Sequence, residues 1–230
     1  MTDTATVMNT PPAAGRLTVE VWTDLGCPWC YLGIHRLRHA MDRTGTAGIT
    51  LMLRSFELDP DASAEPMTIP EVFTRKHGLP AQAAMQAEAA MRDRAAAEGL
   101  PFTTDRSHAN SFDVHRVLQL ANRHGAGTAF FETVQTRFFA GEINPYDHAS
   151  LTTVAGEVGL DGDEVRTVLA GDSYAQQVRH DERRARELGV TGVPFVLLDQ
   201  RFAVAGAQST DAYAQAIARA RESLSWPATR

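Results

Sequence analysis

The feature that most constrains this fold is an interruption. Between Pro66 and Gly189 no segment reads as a strand, while strand texture is present on both sides of that stretch. On the near side, Leu17-Thr18-Val19-Glu20-Val21-Trp22-Thr23 alternates and places Leu17, Val19 and Val21 on one face, the period of a half-buried strand. Tyr31 to Met41 carries Leu32, Ile34, Leu37 and Met41 near helical spacing, and Gly45 and Gly48 end the run. Ile49-Thr50-Leu51-Met52-Leu53 is a second strand, running on toward Phe56. On the far side, Val193 to Leu198 reads as a strand with Pro194 near its start, where proline is tolerated. Asp199-Gln200 turns the chain into Arg201 to Val204, a hairpin without the strong Asn-Gly signature. Ser209 can cap a final helix through Ser223. The order is β-α-β, a long break, then β-β-α. Neither flanking piece can bury a sheet by itself, so both must join one sheet that the intervening segment leaves and rejoins. The expected class is α/β. Residues 17–65 and 189–230 form one domain, 66–188 a helical insertion, and 1–16 a disordered tail rich in Thr, Ala, Asn and Pro.

Gly and Pro punctuate the insertion into helices. Pro70 can open a short one that Gly78 ends, following the asymmetry of proline in the first turn and glycine past the last. Pro80 to Glu98 is rich in Ala, Met, Gln and Glu and is closed by Gly99. Ser111 can cap a helix to His124, Thr128 to Ala140 forms another, and Asp147 caps one ending near Gly159. Asp161 with Glu164 resembles a capping box for a run to Ala170. Asp172 or Ser173 starts the last, ending at Gly189.

With 230 residues and 43% hydrophobic content the chain can bury a sizeable core. A net charge of −6 gives no electrostatic case for nucleic acid or an anionic membrane. No apolar run is long enough to span a bilayer, and Met1 to Arg16 lacks a basic start followed by an apolar segment, so no secretory signal is expected. A cytoplasmic location follows as the default. In a reducing compartment, cysteines are more often catalytic, redox-sensing or metal-binding than structural.

The chain has two cysteines, Cys27 and Cys30, set in Asp24-Leu25-Gly26-Cys27-Pro28-Trp29-Cys30 between the first strand and the first helix. Disulfide exchange needs one thiolate that attacks and a second thiol close enough to release the mixed disulfide. A two-residue gap across a first helical turn meets that need. Cys27 then lies at the helix N-terminus, where unpaired N–H groups and the dipole favour an anion. Pro28 suits the first helical position, whose N–H has no intrahelical use. This makes Cys27 the exposed nucleophile and Cys30 the more buried resolving thiol. A zinc site would need two more ligands, and no histidine pair has the spacing, His35 and His39 reading as surface residues one turn apart. No metal is expected, and a structural disulfide would close only a tiny loop.

Other side chains carry alternatives. Asp24 tunes the dithiol or takes up a proton, or is simply a loop or cap residue. Phe130, Phe131, Phe138 and Phe139 read as insertion core, or in part as the lining of a substrate cleft. Arg179, Arg183, Arg184 and Arg186 alternate with Asp181, Glu182 and Glu187, the pattern of a solvated, salt-bridged helix face. The Ala-rich helix near Ala83 to Ala97 suits close packing on a neighbour, within the chain or in a homodimer.

Trp22 to Cys30 with Tyr31-Leu32-Gly33 resembles the DsbA-like thioredoxin-fold family, specifically its FrnE-like branch. So do Phe56-Glu57-Leu58-Asp59-Pro60, Asn110-Ser111-Phe112-Asp113-Val114-His115-Arg116, Phe138-Phe139-Ala140-Gly141, Gly189 to Phe195, and Val204-Ala205-Gly206-Ala207-Gln208. The resemblance implies a thioredoxin-like fold whose helical insertion roofs the dithiol. It implies a cis peptide bond at Val193-Pro194, presenting the Val193 backbone to an extended substrate. It places Asn110 and Ser111 toward the cleft, although helix capping accounts for them equally. His115 and Arg116 are expected on the helix surface or in a local ion pair. The implied activity is cytoplasmic exchange of protein or small-molecule disulfides through Cys-Pro-Trp-Cys, with no bound cofactor. Relatives such as 2-hydroxychromene-2-carboxylate isomerase suggest an alternative, a glutathione-dependent isomerase or transferase acting on a small aromatic or polyketide-like compound, and glutathione as co-substrate. A third reading is a chaperone-like peptide binder switched by the dithiol. The second, C-terminal cysteine pair of some FrnE-like proteins is missing.

The dipeptide between the cysteines generates a prediction. A histidine there adds positive charge beside the thiolate, whereas Trp29 does not. Trp29→His is expected to make the couple more oxidising when equilibrated against glutathione buffers; an unchanged or more reducing potential counts against this.

Overall fold

In the computed structural model, which describes residues 16–225, β1 (Leu17–Thr23) leads into α1 (Pro28–Thr44) and β2 (Ile49–Ser55). The expected disordered tail, apart from Arg16, lies outside the described residues. β1 and β2 pair in parallel, Val19 opposite Leu51 and Val21 opposite Leu53. Parallel neighbours need a crossover, which α1 supplies.

The chain then enters the helical block. It begins with β3 (Met67–Thr68) and α2 (Ile69–His77), followed by α3 (Ala81–Ala97) and β4 (Ser107–His108). Next come α4 (Phe112–Arg123), α5 (Gly127–Ala140), α6 (His148–Glu157), α7 (Gly162–Ala170) and α8 (Ala175–Glu187). The block is not wholly free of strand: β3 and β4 pair antiparallel, Met67 opposite His108. Two residues per strand is too short for a periodic signal, so pattern reading passes over them. Thr68 and Glu71 form a reciprocal capping box at α2, and Gly78 ends that helix in the left-handed region. Asp147 and Asp161 cap α6 and α7 with their side chains. Two caps differ from expectation. Tyr174, not Asp172 or Ser173, stands at the N-cap of α8. Ser111 occupies the N-cap of α4 but makes no capping bond; the Asn110 side-chain Oδ1 accepts from Phe112 N–H instead.

Strand structure resumes with β5 (Phe195–Leu198) and β6 (Phe202–Ala205), and α9 (Thr210–Ser225) ends the described chain. Asp199 and Gln200 both have positive φ, 48° and 58°, which gives the three-residue connection between paired Leu198 and Phe202 the twist a hairpin needs without Asn-Gly. The sheet order is β2-β1-β5-β6, with β5 antiparallel to β1 and β6 antiparallel to β5. The two ends of the chain thus meet across β1 and β5, and the α/β thioredoxin-like arrangement is complete.

One face of the sheet, carrying Leu17, Val19 and Val21, packs on Leu37, Ala40 and Met41 of α1 and Tyr213 and Ile217 of α9. The same core continues into the helical block through Val117, Leu118, Phe130 and Phe131. All four insertion phenylalanines are buried, and Phe139 stacks on Tyr31 and Phe102 at 4.7 and 5.1 Å.

The other face carries Glu20 and Trp22, and α8 covers it. The expected solvated face of α8 is the main correction to the sequence reading. Asp181 and Glu182 are buried. The Asp181 carboxylate accepts from Ser55 N–H and Gln119 Nε2, and its carbonyl accepts from the Trp22 indole at 2.9 Å. Arg184 and Arg54 converge on buried Glu20 at 2.7 and 2.6 Å, and Gln200 donates to it as well. Charge alternation along a helix shows pairing without showing whether the partners lie in solvent or on a sheet. Arg116 makes the local ion pair expected of it, with Asp113, but not at the surface: its guanidinium is buried and donates to carbonyls at the end of α7, where a cation offsets the helix dipole.

Burial alone raises the Glu20 carboxyl, but Arg184 and Arg54 outweigh it and hold Glu20 below the ordinary range. The stabilisation is therefore full above the unfolded value of about 4.3 and drains away as pH falls through the folded one. Glu20→Gln leaves two arginines facing a neutral group and is expected to cost about 3 kcal/mol in denaturant unfolding at pH 7. It also flattens the acid limb of the stability profile. A cost below about 1 kcal/mol with an unchanged acid limb speaks against the clamp.

Candidate active site

Helix α1 begins at Pro28, and Cys27 is its N-cap with extended backbone (φ −82°, ψ 111°). The first N–H groups of a helix have no intrahelical acceptor. Here the Cys27 sulfur accepts from Cys30 N–H at 3.4 Å, while the Cys27 carbonyl takes Cys30 and Tyr31 N–H at 3.0 and 3.2 Å. Pro28 spends no donor at the first position. Both cysteines are free and buried: Cys27 is 6% exposed and Cys30 fully enclosed. Cys27 is thus the more accessible thiol, though far less open than the sequence suggested, because the helical block covers it.

The two sulfurs are driven apart in acidity. A hydrogen bond from the Cys30 thiol holds Cys27 below the ordinary thiol range, helped by Cys30 and Trp29 N–H, while burial and the Asp24 charge oppose. Burial pushes Cys30 well above it, and the neighbouring Cys27 sulfur adds to the rise. The Thr23 hydroxyl and the Asp24 N–H, facing Cys30, work the other way. The pair therefore holds one ionisable sulfur and one that keeps its proton.

Val193 and Pro194 arrive beside the dithiol through the pairing of β5 with β1, which sets Phe195 opposite Trp22. The Val193–Pro194 bond is cis, and the Cys27 thiol faces the Val193 carbonyl at 3.7 Å. Cys27, Cys30 and Val193 share a small apolar cluster with Trp22, Ala185 and Leu197. Trp29 is 43% exposed at the rim, with the Arg94 guanidinium 5.5 Å from its ring centre.

Asp24 lies in the loop before α1 and is buried, and its charge acts on Cys27. Its carboxylate accepts from Leu58 N–H at 2.8 Å and the Ser111 hydroxyl at 2.9 Å, and His115 Nε2 lies 3.5 Å away. Burial raises this carboxyl, but His115, Leu58 and Ser111 outweigh it and hold it low. His115 is fully buried, not on the helix surface. Ser111 lines the cavity in front of Cys27; Asn110 does not, its amide bracing Glu57 and the Pro60 carbonyl. Arg106, His108 and Tyr146 also line that cavity. They lie outside the motifs of the sequence: the β3–β4 pairing brings His108, the bonds to Glu88 of α3 hold Arg106, and packing on Phe138 of α5 brings Tyr146. Among the described residues no group of three His, Cys, Asp or Glu side chains is arranged to hold a metal ion, and no helix is long and apolar enough to cross a membrane.

Gly33 was also missed as a site residue. A Cβ there would stand 2.7 Å from Pro194 Cγ, so the cis-proline loop seats directly on α1 only because this side chain is absent. Gly33→Ala is expected to cost about 1–3 kcal/mol of stability by overpacking, measured by denaturant unfolding; a neutral effect means the loop stands clear of the helix.

Comparison with known proteins bears on this geometry. The family of DsbA-like thioredoxin domains matches residues 18–218. The structure of a probable DsbA oxidoreductase from Streptomyces coelicolor is 38% identical, with 94% of this chain and 93% of that one covered and a TM-score of 0.86. A 2-hydroxychromene-2-carboxylate isomerase (16% identity, TM-score 0.67, covering 88% and 95%) shares the fold. So does the cytosolic disulfide reductase DsbM from Pseudomonas aeruginosa with GSH (18%, TM-score 0.57, covering 90% and 96%). A search of the curated proteins returns no match. On the family match and the Streptomyces relative together, this chain belongs to the DsbA-like thioredoxin domain family.

Proposed function

We propose that the protein is a thiol–disulfide oxidoreductase that works through the Cys27–Cys30 dithiol. The observation that carries this reading is the split acidity of two sulfurs one helical turn apart, with Cys27 held low at the N-cap and Cys30 held high by burial. In the reducing direction, the Cys27 thiolate attacks one sulfur of a substrate disulfide. A mixed disulfide forms and the other substrate sulfur leaves as a thiolate that takes up a proton. Cys30 then loses its proton and attacks Cys27, releasing the second substrate thiol. Two electrons have passed to the substrate, and the protein carries the Cys27–Cys30 disulfide. An external dithiol or two small thiols reverse the change; the opposite direction uses the same steps backwards. The electrons reside in sulfur, so the reaction needs no bound cofactor. The Val193 carbonyl beside Cys27 is placed to meet substrate backbone, and Pro28 and Trp29 shape the turn and the rim. A cytoplasmic site of action belongs to this reading, supported by the cytosolic DsbM whose fold the chain shares.

A second reading has its own support. The cavity over Cys27 is enclosed enough for a small compound, and the fold is shared with an isomerase and with a reductase whose structure was solved with GSH. Glutathione is thus a co-substrate in the first reading and the activating thiol in the second. The presence of Cys30 favours the first, because isomerisation needs no resolving thiol.

Cys27→Ser is expected to abolish reduction of a small disulfide, and retained activity sinks the assignment. Alkylation of wild-type protein by iodoacetamide is expected to follow a single thiolate that titrates below about 8.5, the ordinary cysteine value, with Cys30 inert over that range. Glutathione-dependent turnover that survives Cys30→Ser selects the isomerase reading instead.

A further inference from the structure

The cavity in front of Cys27 holds about 460 Å³. Its walls come from the loop before α1, the loop after β2, α2, α3, β4 and the segment around Tyr146. Every charge facing it has a partner inside the protein. Arg106 makes two bonds to Glu88, at 2.7 and 2.6 Å, and donates to the Gly26 carbonyl. Asp59 pairs with Lys76 and with His108 Nε2. Asp24 is held by Ser111, Leu58 and His115. His77 lies edge-on to Phe73. The charged groups of a ligand find no free counter-charge inside this space and stay at its open side, so recognition within it falls to neutral groups.

Two polar atoms remain. The Tyr146 hydroxyl is buried; Ala109 N–H faces its oxygen, but its own O–H has no acceptor, while its ring packs edge-on against Phe138. His108 uses Nε2 on the Asp59 carboxylate at 2.9 Å. A carboxylate only accepts, so the neutral ring carries its hydrogen on Nε2 and a lone pair on Nδ1. Both atoms face Gly26, next to Cys27: a Cβ placed there would stand 3.5 Å from the Tyr146 hydroxyl and 3.7 Å from His108 Nδ1. One donor and one acceptor are thus presented together in an otherwise charge-balanced space. An unpartnered buried hydroxyl costs free energy unless something answers it.

We propose that Tyr146 and His108 form a two-point subsite for a neutral amide on a low-molecular-mass disulfide, whose carbonyl accepts from the phenol and whose N–H donates to Nδ1. The substrate sulfur is thereby set toward Cys27. Cys27 is only 6% exposed within these walls, so a disulfide held rigidly in a folded protein does not reach it. This rests on the disulfide-exchange reading and names its substrate class. Tyr146 and His108 bind and orient; neither exchanges electrons.

The test is binding of the disulfide of N-acetylcysteine amide to the full chain carrying Cys27→Ser and Cys30→Ser, which cannot exchange, followed by calorimetry. Diethyl disulfide, which has no amide, is the control probe. Tyr146→Phe and His108→Ala are each expected to weaken the amide probe about fivefold to tenfold, the worth of one neutral hydrogen bond, and to leave diethyl disulfide unmoved. Gly26→Ala puts a methyl group between the two polar atoms at ordinary contact distance and is expected to weaken the amide probe at least as much. No binding of the amide probe, equal effects on both probes, or unchanged affinity in all three variants overturns the subsite. Displacement of the probe by an unfolded polypeptide at similar concentration assigns it to peptide backbone and overturns the low-mass class. These results are independent of turnover: a wild-type protein that exchanges disulfides while its subsite variants bind normally keeps the function and loses the subsite. A protein that binds as expected but exchanges nothing does the reverse.

Discussion

The Cys27 sulfur stands where helix α1 needs an acceptor. The first N–H groups of a helix are unpaired by construction, and here one of them finds a sulfur as its partner. That one contact ties folding to chemistry. The helix start is capped by the atom that must carry negative charge, and the charge is favoured because the helix end is open. The same geometry sets Cys30 on the next turn, inside the protein, where burial keeps its proton on. Stabilising the Cys27 thiolate also stabilises the reduced protein, so the cap bears on the redox balance of the pair.

The cap works only if the loop before it is held still, and two polar clusters do that. Asp24 is pinned by Leu58 and Ser111, while Gln135 reaches the carbonyls of Asp24 and Leu25. On the far face of the sheet, Glu20 and Asp181 draw Arg54, Arg184 and Gln119 together beneath α8. These buried ions link β1, β2, α4 and α8, the elements that the long excursion away from the sheet separates in sequence. Breaking such a cluster on one side leaves uncompensated charge, so the return of α8 and β5 to the sheet is specified as well as stabilised. Val193 reaches Cys27 as a consequence of that return.

Much of this was legible in the chain. β1, α1 and β2 follow from alternation, helical spacing and the glycines after Met41. The β-β-α end follows from Val193 to Leu198 and Ser209. The dithiol was visible because its chemistry lies within four consecutive residues. What escaped has a common physical reason. The burial of His115 and Arg116 was not legible because a polar side chain on a helix shows no sign of the distant carboxylate or carbonyls it will meet. Asp181, Glu182 and Arg184 read as a solvated stripe because charge alternation has the same appearance over water and over a sheet. β3 and β4 are too short to leave a period.

By itself the sequence determined the class of fold, the position of the dithiol, and which cysteine lies at the helix N-terminus, since each of these rests on neighbours within a few residues. Only the tertiary structure decided that Cys27 is enclosed, that Gly33 must lack a side chain to seat Pro194, and that Arg106, His108 and Tyr146 face the nucleophile. Those facts depend on contacts between residues dozens of positions apart. Their energies come from burial and pairing with partners that no local pattern encodes.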